Sequence, residues 1–199
     1  MDKKYLNDLK NKNILVVKTF YEKQFNLKTI QNYFEQVDSD ELIIKPVISA
    51  NADNTFRISK RTLDVMSSKL ELIFNEKEFM VQPFMNNIID EGEYSLFFFG
   101  GKYSHTINKI PKENDFRVQE EHGGVIKRAD NDLKKIALAS DIINKLEKLP
   151  LYARVDLVRT KENNFALMEL ELIEPSLYFN YDDEAPVRFV KIFDEWIKK

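Results

Sequence analysis

Apolar residues recur along this chain at two periods, three-to-four and two, and the changes between them mark out its elements. Tyr5, Leu6 and Leu9 predict a short helix over 2–11, and Leu27, Ile30, Tyr33 and Phe34 a second over 27–36, with a strand at 14–18 (ILVVK) between them. Residues 41–49 form an apolar strand interrupted by Lys45 and Pro46. A polar loop follows, in which Asn51 and Asn54 tolerate positive φ, and then a strand at 55–59. Ser59 is placed to cap a helix over 60–74 that buries Leu63, Met66, Leu70 and Ile73. Residues 78–85 read as a strand ending at Gln82-Pro83, since proline removes a ladder donor.

In the second half, 93–99 and 102–110 read as strands joined at Gly100-Gly101, a strong hairpin signal. Residues 111–124 are polar and end in Gly123-Gly124. A helix over 130–149 follows, capped by Asp130 or Asn131, with Leu133, Ile136, Ala137, Ile143 and Leu146 on one side. Two alternating runs within 152–179 flank a polar turn at 161–164, the pattern of a second hairpin. The last helix, 185–198, carries Phe189, Ile192, Phe193 and Trp196. Strands interspersed with long helices and joined by antiparallel hairpins argue for an α+β fold. A division near residue 85 gives a smaller lobe, 1–85, and a larger one, 86–199.

The second hairpin carries the chemistry. Successive strand residues alternate faces, so Glu169 and Glu171 share one face opposite Met168, Leu170 and Leu172, while Arg154 and Asp156 share a face opposite Val155 and Leu157. Ionised carboxylates two residues apart lie roughly 6–7 Å from one another and repel by about 2–3 kcal/mol at an effective dielectric near 20. A hard cation such as Mg²⁺ would remove that repulsion; a half-solvated acidic face is the other reading. Lys45 poses a similar question, because a lysine in an apolar strand needs an anion, which a neighbouring carboxylate or a bound phosphate would supply.

Composition narrows the classes. With 199 residues, 43% hydrophobic and 32% charged, the chain is globular rather than disordered, and its net charge of −3 provides no basic field for nucleic acid. No cysteine is present, which excludes thiol chemistry and suits a reducing compartment. Neither a membrane-length apolar run nor a secretory leader is found, so a cytoplasmic location is expected. All five glycines lie between Gly92 and Gly124, concentrating backbone freedom in one short part. His105 and His122 are too few for a histidine metal site, and no G-x-S-x-G, P-loop or G-x-G-x-x-G pattern occurs.

Taken in order, Lys45-Pro46, Gln82-Pro83-Phe84, Glu91-Gly92-Glu93, Lys109-Ile110-Pro111, Asp115-Phe116-Arg117 with Gly123-Gly124, Arg154-Val155-Asp156, and Glu169-Leu170-Glu171 before Pro175-Ser176 resemble the ATP-grasp superfamily. The likeness is to the branch of bacterial glutathione synthetase and D-cycloserine ligase and covers nearly the whole chain. It implies two α+β lobes with mainly antiparallel sheets sandwiching a nucleotide, with ATP and Mg²⁺ (or Mn²⁺) as cofactors. By the same resemblance Lys3 and Lys45 meet phosphates, Gln82 and Phe84 meet adenine, and Glu93 lies near ribose. Lys109, Arg117 and Arg154 face the transferred phosphoryl group and acyl substrate, and Asp156, Glu169 and Glu171 hold metal.

The implied activity is a carboxylate–amine ligase working through an acyl phosphate on small-molecule acid and amine substrates, with 111–124 as a lid that keeps water from the intermediate. Family enzymes carry a further domain ahead of the first helix that helps bind the acceptor. None is seen here, so either the sequence is a piece of a longer protein or a partner chain, a separate polypeptide or a second copy, completes that site. A nucleotide-binding or regulatory module without turnover is the alternative, motivated also by the glycine-free loop at 49–55.

Overall fold

The structure is a computed structural model describing residues 2–49 and 52–198; Asn51 lies outside them. The chain divides into two compact units, the first running through Asp8 and resuming over Val16–Met85, the second taking Leu9–Leu15 and continuing from Asn86.

In the first unit a four-stranded antiparallel sheet has the order β1 (Phe20–Glu22), β4 (Phe79–Pro83), β2 (Glu41–Pro46), β3 (Phe56–Ser59). Two helices cover one face. The helix α1 (Tyr5–Asn11) precedes β1 in the chain, and α2 (Leu27–Gln36) begins at Asn26, whose side chain accepts from Thr29 N at 3.0 Å. The helix α3 (Leu63–Phe74) starts later than its sequence suggests. Ser59 Oγ accepts from Thr62 N and Thr62 Oγ1 accepts from Ser59 N, so residues 60–62 form a turn and Thr62 takes the cap position. The core joins Ile30, Tyr33 and Phe34 of α2 to Leu63, Leu70 and Phe74 of α3 and to Leu42, Ile44, Ile58, Phe79 and Val81 of the sheet. Period-two alternation leaves Ile43 and Lys45 on the other face of β2, paired across the ladder with Gln82 and Met80. The expected strand at 14–18 is reduced to an isolated bridge at Val16, with Leu15 O accepting from the backbone N–H of Leu167 at 2.9 Å, and among the described residues no ladder extends from it.

The second unit holds a five-stranded antiparallel sheet in the order β7 (Val125–Arg128), β6 (Lys102–Ile110), β5 (Glu93–Phe99), β8 (Tyr152–Arg159), β9 (Phe165–Glu171). A short helix, α4 (Asn87–Asp90), leads into β5. Both predicted hairpins are present, while the edge strand β7 has too little apolar alternation to be read from sequence. Gly92, at φ +98°, lets β5 start hard against β6, because a Cβ there would stand 2.7 Å from the Lys109 carbonyl oxygen. At the end of the 111–124 segment, a Cβ on Gly124 would lie 2.2 Å from Val118 O.

Helix α5 (Leu133–Asn144) corrects the sequence reading in cap and face: Asp132 caps it by accepting from Lys134 N at 2.8 Å, and the buried residues are Lys135, Ala139, Ile142 and Ile143, with Leu133 exposed. A lysine faces the sheet because its ammonium lies 3.6 Å from the centroid of the Tyr94 ring, where a cation is stabilised by the aromatic face. The last helix, α6 (Ala185–Ile197), places Phe189 against Phe99, with centroids 5.3 Å apart. No helix among the described residues is long and apolar enough to cross a membrane.

Candidate functional site

Antiparallel ladders put directly paired residues on the same face. The pairs Glu93↔Lys109, Ser95↔Asp156, Phe97↔His105, Phe97↔Arg154, Asp156↔Glu169 and Arg154↔Glu171 therefore gather polar groups from four strands on one face of the second sheet. A register shift after Asp156 makes Met168 the extra residue of a bulge, which keeps Glu169 opposite Asp156. The same face becomes aromatic toward Phe97 and Phe99, where α6 packs.

Asp156 is the hub. Its Oδ1 accepts from Ser95 Oγ at 2.5 Å and from Arg154 Nε at 3.0 Å, its Oδ2 from Arg154 Nη2 at 2.9 Å, and Lys109 Nζ stands 3.6 Å from Oδ1. Lys109 also pairs closely with Glu93, and Arg154 with Glu171. Ser95, Glu93, Lys109 and Asp156 are all buried. Burial alone would raise the Asp156 carboxyl, but Arg154 and Lys109 hold it down at about 2. Burial also opposes the charge on Lys109, yet Asp156 and Glu93 raise its pKa and keep it protonated. Glu93 is raised by burial, with Asp156 adding to the rise. Glu171 is pushed up to about 7 by burial and by Asp156 and Glu169, against the pull of Arg154. Four carboxylates thus share this face with two cations; burial, with Asp156 adding repulsion, pushes Glu93 and Glu171 toward neutrality, while the cations hold Asp156 ionised.

The residues singled out from sequence fall into two groups. Glu93, Lys109, Arg154, Asp156, Glu169 and Glu171 stand together on this one sheet face. Arg117 does not join them: its guanidinium is paired with Asp115 in the 111–124 segment, with Nη2 2.7 Å from Asp115 Oδ2. Lys3, Lys45, Gln82 and Phe84 belong to the first unit. There Lys3 Nζ donates to Ser49 O at 3.1 Å, Gln82 Nε2 donates to Thr19 Oγ1 at 2.9 Å, and Phe84 lies under Arg57, 3.8 Å from its guanidinium carbon to the ring centroid. Among the described residues no three His, Asp or Glu side chains are set to hold a metal ion, because Asp156 and Glu171 turn to Arg154. The donors nevertheless fit a hard divalent cation: all are carboxylate oxygens, on one face, with negative charge in excess.

Ser95 and His105 were missed as site residues. Ser95 had a signal, a hydroxyl two residues after Glu93 in an otherwise apolar strand. His105 had none, because the partner that ties it to the rest of the fold, Leu177, is remote in the chain. Its ring stacks on Phe97 at 4.3 Å, Nδ1 meets Ser104 Oγ at 3.0 Å and Nε2 meets Leu177 O at 3.1 Å, which fixes the segment after Glu171. Burial lowers this imidazole from its ordinary 6.5 to about 4. Between those values the unfolded chain binds a proton that the folded one does not, so stability present above pH 6.5 is lost as pH falls. Urea unfolding should show the native protein losing about 2 kcal/mol more than His105→Gln between pH 7 and pH 5. Equal losses would show that His105 is not held neutral.

Residues 9–175 match the family described as prokaryotic glutathione synthetase, ATP-grasp domain. The cycloserine biosynthesis protein DcsG of Streptomyces lavendulae is 27% identical over 209 residues, spanning 100% of this chain and 70% of that protein. A crystal structure of D-cycloserine synthetase DcsG aligns with a TM-score of 0.85 at 24% identity, covering 98% of this chain and 69% of that one. The D-alanine-D-alanine ligase from Coxiella burnetii aligns with a TM-score of 0.72 at 17% identity, covering 100% of this chain and 56% of the ligase. Both solved structures share the α+β architecture of two mainly antiparallel sheets.

Proposed function

The chain belongs to the ATP-grasp domain family of prokaryotic glutathione synthetases, and from that premise we propose that it is an ATP- and Mg²⁺-dependent ligase joining a small carboxylic acid to an amine, in the cytoplasm. The observation that carries this reading is the sheet face on which Asp156, Glu169 and Glu171 oppose Arg154 and Lys109. In the proposed reaction a substrate carboxylate oxygen attacks the γ-phosphorus of ATP, ADP leaves, and the acyl phosphate is attacked at carbon by the amine, releasing phosphate. Asp156, Glu169 and Glu171 would hold the metal, which offsets charge on the phosphate oxygens.

Lys109 and Arg154 stabilise charge on the transferred group and on the substrate carboxylate, and Arg117 is assigned the same task from the 111–124 segment. Lys3, Lys45, Gln82, Phe84 and Glu93 are the proposed nucleotide contacts. Lys3 fits that role through its bond to Ser49, which ties the start of the chain to the 49–55 loop.

Glu169→Gln tests the metal assignment. Calorimetric titration should show Mg²⁺-dependent ADP binding weakened about tenfold, while the melting temperature without metal stays level or rises, since a repelling carboxylate is gone. A large fall in metal-free stability would instead make Glu169 a structural residue. Turnover is tested by ADP and phosphate release over a panel of acids and amines. MgATP binding with no acid-dependent release would leave a nucleotide-binding module, and no MgATP binding would end the ligase reading.

A further inference from the structure

Arg154 and the proposed metal cannot both hold the same oxygens. Its Nε lies 3.0 and 3.1 Å from the two oxygens of Asp156, its Nη2 lies 2.9 Å from Oδ2 and also meets Glu171, and among the described residues Nη1 takes no hydrogen bond. This fork engages both Asp156 oxygens, with Glu171 drawn onto the same nitrogen. The guanidinium is nearly buried and Asp156 wholly so, whereas Glu171 keeps 31% of its side chain exposed. The contact is strong because it is a charge-assisted fork onto both oxygens of a carboxylate in a dry site. It is also exchangeable, because its outer half reaches solvent.

Resting on the ligase reading above, we propose that Arg154 is a resident counter-ion for the metal carboxylates: Glu171 and Asp156, whose Oδ2 is held among the described residues by Arg154 alone, would hold a divalent metal only by releasing the guanidinium, which then binds an anionic group of the substrate. Metal-nucleotide then binds before the acid, because the cation that recognises the acid is engaged until metal arrives. The carboxylates stay paired in both states, since a divalent cation replaces a monovalent one, and the freed guanidinium, nearly buried, is left needing an anion. Lys109 is not released in this exchange: it stays between Glu93 and Asp156, where it is buried.

Calorimetry with Mn²⁺ and with inorganic phosphate, each with and without ADP, tests the order. In the native protein, phosphate should bind at least about tenfold tighter once Mn²⁺ and ADP are present, because the metal removes the competition for the arginine. Arg154→Met should bind Mn²⁺ without nucleotide about tenfold tighter than the native protein and lose the metal-dependent gain in phosphate affinity. Should that variant fail to fold, Glu171→Gln serves: it frees part of the guanidinium, so phosphate affinity without metal should rise while Mn²⁺ affinity falls.

Mn²⁺-ADP binding with phosphate affinity independent of metal would overturn the exchange and leave the metal assignment standing. Failure of folded native protein to bind Mn²⁺ under any condition would overturn both.

Discussion

Asp156→Asn is expected to lower Mg²⁺-dependent ADP release by about 10²–10³-fold and, separately, to cost about 3 kcal/mol of metal-free stability. The two losses have one cause. Asp156 is the carboxylate that touches Ser95, Arg154 and Lys109, so its charge offsets two buried cations as well as serving the proposed metal. An asparagine keeps the shape and one acceptor oxygen but not the charge, leaving Arg154 with Glu171 alone and Lys109 with Glu93 alone. Urea unfolding reads the stability term. Mn²⁺-ADP titration below the unfolding transition reads the site term. Retained Mn²⁺-ADP affinity in a destabilised protein would make Asp156 purely structural and move the metal elsewhere.

Much of this arrangement was legible in the residues, and the unread parts share a physical cause. Local alternation sufficed for both hairpins of the second sheet, because Gly100-Gly101 and the polar turn at 161–164 fix pairing between neighbours in sequence. The acidic face followed from the same alternation. What alternation cannot supply is the third partner: that β5 lies between β6 and β8, and so brings Glu93 and Lys109 to Asp156, is a non-local pairing. The strand β7 was missed for the same reason, since its place comes from β6 rather than from its own four residues. The buried face of α5 was misread because Lys135 counts as polar in any pattern, while in the fold its stem and ammonium lie over Tyr94. His105 packs on Phe97 within the sheet, and its contact with the Leu177 carbonyl is one that no spacing encodes.

Lys109→Met should destabilise the protein by about 3–5 kcal/mol, the range for removing one partner of a buried ion pair. Glu93→Gln should cost less, because Lys109 then still faces Asp156 at 3.6 Å as a counter-ion. If Lys109 and Glu93 are present chiefly for each other, the double variant Lys109→Met/Glu93→Gln should recover about 1–2 kcal/mol relative to Lys109→Met, since no anion is then stranded opposite the methionine. Asp156 limits the recovery: it too faces Lys109, at 3.6 Å, and among the described residues retains Arg154 as its one close cation when the lysine is gone. Recovered stability should bring no recovered turnover, because the ammonium assigned to the transferred phosphoryl group is still absent. A double-mutant cycle in urea, run beside ADP-release assays on the same four proteins, separates the terms. Additive losses would show that Lys109 serves Asp156 rather than Glu93. Turnover returning with stability would remove Lys109 from the chemistry and leave it as a counter-ion that keeps Asp156 ionised.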